Sequence, residues 1–203
     1  MPNRSGVFIV DDDEAIRESL AFLLGTAGFK VSLFELASKF LEALPDLKVG
    51  CLITDIRMPE IDGLELMRRL RAAGRSFPVI VMTGHADVPL AVEAMKLGAF
   101  EFLEKPFDDK QLIERINAAL EQGAAVAAAA QETREISERI AKLTERERQV
   151  LERLVVGQSN KAIGRDLDIS PRTVEIYRAN VMGKMKVSSI SELVRLTLRA
   201  GFP

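Results

Sequence analysis

Through the first half of the chain, short apolar runs at residues 7–10, 30–34, 51–54, 79–83 and 100–103 alternate with stretches of helical periodicity. This alternation constrains the fold more than any other feature, because parallel strands need crossovers long enough to hold a helix. Val7-Phe8-Ile9-Val10, Cys51-Leu52-Ile53-Thr54 and Val79-Ile80-Val81-Met82 are nearly continuous apolar runs, which suit strands buried on both faces. Lys30-Val31-Ser32-Leu33 and Phe100-Glu101-Phe102-Leu103 interleave polar residues, which suits the edges. With the second and fifth strands outermost and right-handed crossovers, the expected strand order is 2-1-3-4-5. The helix faces agree: Ile16, Leu20, Leu23 and Leu24 fall on one side, as do Leu112, Ile113, Ile116 and Leu120 after an Asp108 cap.

The first half, residues 1–121, is therefore expected to be an α/β domain with a flavodoxin-like, doubly wound, five-stranded parallel sheet. Residues 122–142 begin with an alanine-rich stretch and continue with Glu, Arg and Ile, so a helical linker extending the fifth helix is expected despite Gly123. Residues 143–203 show no strand pattern but dense helix signals. Thr144 with Glu147 and Ser189 with Glu192 have capping-box spacing, Gly157 can end a helix, and Ser170-Pro171 places a cap before a first-turn proline. An all-α domain of four helices, containing a helix-turn-helix, follows from these signals.

Charge divides the same way. Residues 1–123 hold 14 Lys/Arg against 20 Asp/Glu, and residues 124–203 hold 14 against 10, so an acidic half precedes a basic one. That asymmetry points the second half toward a polyanion. The single cysteine, Cys51, lies in an apolar run and reads as a core residue, which leaves no internal disulfide or thiolate cluster. Apolar runs are far too short for a membrane span and no signal-peptide pattern opens the chain, so a cytoplasmic protein without a membrane partner is expected.

Ligand sites of open parallel sheets lie beyond the carboxyl ends of the strands. The polar residues there are Asp11, Asp12, Asp55, Thr83 and Lys105. Carboxylates gathered so closely repel unless a hard cation joins them, and an all-oxygen set points to Mg2+. Lys105 adds a positive charge and Thr83 a hydroxyl donor, which together suit phosphoryl transfer, with Asp55 as the carboxylate nucleophile. Asp13 alone reads as a helix cap, and the only histidine, His85, as a loop residue near the pocket.

The runs Val10-Asp11-Asp12-Asp13, Thr54-Asp55-Ile56-Arg57-Met58-Pro59, Thr83-Gly84-His85 and Lys105-Pro106-Phe107 resemble the receiver domain of two-component response regulators. The resemblance implies phosphorylation on Asp55; Mg2+ held by Asp12, Asp55 and the Arg57 backbone carbonyl with help from Asp11; and phosphoryl oxygens bound by Thr83 and Lys105. It also implies a cis bond before Pro106 and a coupling aromatic at Phe102, for which an edge-strand core position is the alternative.

In the second half, helices expected near residues 160–167 and 171–185 flank the tight turn Asp168-Ile169-Ser170. On a helical wheel Val174, Tyr177, Val181 and Met185 form the core face, opposite Arg172, Ile176, Ala179, Asn180 and Gly183. Arg172, Thr173, Ile176 and Asn180 are candidates for DNA contact, with Lys161 and Lys184 for phosphates; Glu175 could accept from cytosine, repel other sequences or stay solvated. The wording of residues 143–201, including Leu143-Thr144-Glu145-Arg146-Glu147 and Ser170-Pro171-Arg172-Thr173-Val174-Glu175, resembles the LuxR-type helix-turn-helix. Receiver and output together resemble the NarL/FixJ family, within it the nitrogen-fixation branch.

The expected function is thus a transcription regulator switched by phosphorylation, which promotes homodimerisation and binding to double-stranded DNA. The resemblance implies a sensor histidine kinase, FixL-like and oxygen-sensing within that branch, and RNA polymerase as partners, with activation of nitrogen-fixation or oxygen-responsive genes. A classical enzyme is disfavoured: a phosphatase of the haloacid-dehalogenase type needs an acid where Arg57 stands, and no Gly-x-Gly-x-x-Gly follows the first strand. A receiver acting only through protein contacts is the remaining alternative.

Overall fold

The computed structural model describes residues 6–47, 50–75, 77–84 and 88–202; His85 lies outside them. Strands β1 (Gly6–Val10), β2 (Lys30–Phe34), β3 (Gly50–Asp55), β4 (Val79–Thr83) and β5 (Glu101–Glu104) form one parallel sheet in the order β2-β1-β3-β4-β5. The expected order and edges are both present: β3 and β4 are buried throughout, whereas β2 and β5 carry exposed positions.

Helices α1 (Glu14–Thr26), α2 (Ala37–Ala43), α3 (Gly63–Ala72), α4 (Val88–Lys96) and the start of α5 (Asp109–Ala141) cover the sheet. Because side chains alternate across a strand, each strand feeds two cores. Phe8, Val10, Leu52 and Val81 pack with Phe40 and Leu66 on one face, while Val7, Ile9, Ile53 and Ile80 pack with Leu24, Leu112 and Ile116 on the other. Cys51 is buried in the second core, and burial pushes its thiol up to about 12, as suits an inert core residue.

Helix α5 continues through the alanine-rich stretch, as its propensity predicts. Gly123 stands in it for a reason of packing: a Cβ there would lie 3.2 Å from the Pro78 ring. The chain divides into two compact units within this helix, Met1–Ala127 and Ala128–Pro203.

The second unit holds α6 (Glu145–Val155), α7 (Asn160–Leu167), α8 (Pro171–Met185) and α9 (Ile190–Arg199), the four helices expected after Leu143. Ile136 and Ile140, from the last turns of α5, are buried in its core with Val150, Leu151, Ile163 and Val181. Thr144 and Glu147 make a complete capping box on α6. Ser189 and Glu192 make only half of one: the Ser189 hydroxyl accepts from the Glu192 N–H, but the Glu192 carboxylate takes the N–H of Ser188. Between α7 and α8, Asp168 adopts a left-handed conformation, and a Cβ on Gly164 would stand 2.7 Å from the Ile169 carbonyl oxygen. Only glycine lets α7 lie this close to the turn.

Candidate functional site

Sheet register assembles the acidic pocket. Val10 pairs with Thr54, Asp55 with Met82, and Thr83 with Glu104, so Asp11, Asp55, Thr83 and Lys105 all stand at the carboxyl edge of neighbouring strands. Chain order puts them far apart; parallel pairing puts them in one row. Asp11 and Thr83 are 1% exposed, and Asp55 is 8% exposed.

The Lys105 ammonium joins the two carboxylates, donating to Asp11 Oδ2 at 2.9 Å and to Asp55 Oδ1 at 2.8 Å. The remaining oxygens accept from backbone: Asp11 Oδ1 from the Asp13 N–H at 3.0 Å, Asp55 Oδ2 from the Arg57 N–H at 2.7 Å. Burial raises the Asp11 pKa above its ordinary value, against the opposing pull of the Lys105 and Asp13 hydrogen bonds. Burial also works to lower the Lys105 pKa, but its bonds to Asp55 and Asp11 outweigh it and the ammonium is held above its ordinary value. Two of its three N–H donors are thereby engaged, and the third is the group an incoming anionic oxygen can use.

Asp12 is exposed in the turn between β1 and α1, and Asp13 caps α1 by accepting from the N–H groups of Ala15 and Ile16. The Lys105 N–H donates to the Thr83 carbonyl at 2.8 Å, and the Lys105-Pro106 bond is cis, as the resemblance implied. Phe102 is half-buried on β5 opposite Val81, at the rim of the core beside α4.

The groups expected to hold a cation, the carboxylates of Asp11, Asp12 and Asp55 and the carbonyl of Arg57, are all oxygens. Among the described residues no three Asp, Glu, His or Cys side chains gather closely enough to hold an ion alone. A hard cation that keeps several waters and needs only one or two carboxylates fits such a set; zinc, which favours sulfur and nitrogen, does not.

Two residues of the pocket escaped the sequence reading. The Arg17 guanidinium donates through Nη1 to the carbonyls of Asp11 at 2.8 Å and Asp12 at 3.0 Å. Gly63 opens α3 so close to β3 that a Cβ would stand 2.3 Å from the Asp55 carbonyl oxygen. The Asp62-Gly63 pair signals a turn or cap, but nothing in one dimension says which backbone it approaches.

In the second unit, α8 buries Val174, Val181 and Met185 and exposes Arg172, Glu175, Ile176, Ala179 and Asn180. Ile176 is 58% exposed among polar neighbours on this helix. Lys161 is exposed on α7. Two candidates are placed differently from the others. The Thr173 hydroxyl bonds to Ser170 Oγ at 2.8 Å, within the cap of α8. The Lys184 ammonium, assigned to phosphates in the sequence reading, instead lies 2.6 Å from Glu147 Oε2, tying α8 to the start of α6. A buried carboxylate 37 residues away in sequence recruits it, which helical periodicity has no means to reveal.

Residues 7–117 match the response regulator receiver domain, and residues 141–197 match the bacterial regulatory proteins of the luxR family. The chain belongs to the two-component response regulators. It is 54% identical to the transcriptional regulatory protein FixJ of Bradyrhizobium diazoefficiens over 201 residues, covering 99% of this chain and 98% of that one. Full-length FixJ from B. japonicum superimposes with a TM-score of 0.61 at 54% identity, covering 98% of both chains. The response regulator StyR superimposes with a TM-score of 0.88 at 40% identity, covering 97% of this chain and 99% of that one. This response regulator is therefore a phosphorylation-dependent transcription regulator rather than a classical enzyme; its receiver implies a histidine kinase partner and its LuxR-type domain implies DNA binding. Among the described residues no helix is long and apolar enough to cross a membrane.

Proposed function

We propose that Asp55 is the phosphoryl acceptor. The observation that carries the reading is the Lys105 ammonium shared between Asp55 and Asp11 at the carboxyl edge of the sheet. A carboxylate oxygen of Asp55 attacks phosphorus as the donor's bond to phosphorus breaks, and the product is an acyl phosphate on Asp55. Lys105, already within 2.8 Å of Asp55, follows the new phosphoryl oxygens, and the Thr83 hydroxyl at the neighbouring strand end supplies a second donor. Asp11, Asp12, Asp55 and the Arg57 carbonyl would hold Mg2+, which when bound offsets the charge of the transferring group. The receiver residues thus assist their own phosphotransfer.

Phosphorylation draws Lys105 and Thr83 toward the new group, and Phe102, half-buried beside α4, carries that change to the surface. The altered receiver forms a homodimer, so that two output domains read paired half-sites of double-stranded DNA. On the DNA side, Arg172, Ile176 and Asn180 face base edges, Glu175 accepts from a cytosine amino group and Lys161 meets phosphate, supported by their shared exposure. Thr173 and Lys184 hold the helix that presents them. In this reading the kinase is oxygen-sensing and FixL-like, and the protein acts in the cytoplasm, activating nitrogen-fixation or oxygen-responsive genes through RNA polymerase; the similarity to the transcriptional regulatory protein FixJ supports the transcriptional part.

The deciding measurement is intact-protein mass spectrometry of wild type and Asp55→Asn after incubation with Mg2+ and a small phosphodonor. One added phosphoryl group on wild type alone is expected. Equal addition to both proteins, or none to either, overturns the assignment.

A further inference from the structure

We propose that Arg17 is the positioning residue of the acidic pocket: its guanidinium holds the turn through Asp11 and Asp12 in the shape that presents their carboxylates to a divalent cation. The inference rests on the magnesium reading above and goes beyond it by assigning the turn a dedicated support.

Arg17 lies on the first turns of α1, half-buried, and its Nη1 bridges the carbonyls of Asp11 and Asp12 at 2.8 and 3.0 Å. No carboxylate approaches it within ion-pair distance among the described residues, although Asp11, Asp12, Asp13 and Glu14 surround it in sequence. A guanidinium that spends its charge on two consecutive carbonyls fixes two peptide planes at once, and with them the direction of the side chains they carry. The Asp11 carboxylate is secured independently by Lys105 and the Asp13 N–H. Among the described residues no such support is seen for the carboxylate of Asp12. Its carboxylate is exposed, so the orientation of its backbone decides where that carboxylate starts. Holding a ligand by its outer contacts commonly governs metal affinity by roughly 10–100-fold.

Charge and positioning predict opposite signs. A positive charge beside a cation site repels the cation, so loss of charge alone would tighten binding. Loss of positioning weakens it. Full-length wild type, Arg17→Met and Arg17→Lys are titrated with Mg2+ by isothermal calorimetry, and their melting temperatures are recorded in EDTA. We expect both variants to bind Mg2+ about tenfold more weakly while melting with wild type in EDTA, and their phosphorylation rate to return to the wild-type value at saturating Mg2+. The lysine variant keeps the charge but carries its donor nitrogen one bond nearer the backbone than Nη1, short of the two carbonyls, so its loss separates geometry from charge. Tighter binding by Arg17→Met, or unchanged binding by both variants, overturns the proposal. So does a lower melting temperature in EDTA shared by both, which makes Arg17 a support of α1 and not of the site. Failure of wild type to bind Mg2+ overturns the magnesium reading itself, a result distinct from all of these.

Discussion

At the scale of single residues, the pocket works because a few side chains have no room to be anything else. Gly63 is the sharpest case. Its N–H donates to the Ile56 carbonyl at 2.9 Å, and a Cβ would press on the Asp55 carbonyl at 2.3 Å, so any other residue must push the acceptor loop outward. Gly63→Ala is expected to cost about 1–3 kcal/mol through overpacking and to slow phosphorylation, because Asp55 and Lys105 separate. Chemical denaturation and phosphorylation kinetics of the full chain check both effects; a variant with wild-type stability and rate would contradict the close approach. Asp11, Asp55, Thr83 and Lys105 were legible in the sequence because each stands at the end of a strand or one residue past it, and strand ends can be read from apolar runs. Gly63 and Arg17 were not, since their roles are distances to backbone atoms.

At the scale of elements, α1, α3, α6, α7, α8 and α9 are each capped by a side chain at their start, and α6 carries an additional contact. Glu147 is buried, accepts from the Thr144 N–H at 2.7 Å and receives the Lys184 ammonium. The Lys184 hydrogen bond, followed by that of Thr144, holds the Glu147 carboxyl below the usual carboxylate range, although burial opposes it. A carboxyl with a depressed folded value adds stability above its unfolded value, and this contribution is lost as pH falls through the folded value. Glu147→Gln keeps the shape but not the charge. At pH 7 the variant should melt below wild type, and the gap should narrow as pH falls below the ordinary glutamate value of about 4.3. Melting curves taken down through that value test it: a gap that does not change with pH means that the ion pair is not its cause. Lys184 is 40% exposed in its side chain, so the effect at pH 7 is expected to be modest.

At the scale of the whole molecule, the acidic and basic halves divide two tasks. Positive charge collects where a polyanion is met, and the carboxylates collect where a cation and a phosphoryl group are handled. In the proposed function, coupling between them is a matter of assembly: a single helix-turn-helix would read one half-site, and pairing would supply the second. Wild type treated with phosphodonor and Mg2+ is expected to sediment as a dimer and to bind a duplex with paired half-sites more tightly than untreated protein. Asp55→Asn should sediment as a monomer under both conditions. A dimer in untreated wild type, or a monomer after complete phosphorylation, overturns this coupling.

The sequence by itself determined what depends on periodicity and chain order. Continuous and mixed apolar runs decided which strands are central and which lie at the edge, and capping residues placed the helices of the second unit within a residue or two. The acidic cluster followed from strand order alone. Tertiary structure decided what depends on separation in space between residues remote along the chain. It gave Lys184 to Glu147 and the last turns of α5 to the core around Val150. It also explained Gly123 by Pro78, and turned Arg17 from a charged helix residue into the clasp of the acidic turn. The physical reason is the same throughout: local preference acts over a few residues, whereas a hydrogen bond or a close approach of a few ångströms exists only after the chain has folded back on itself.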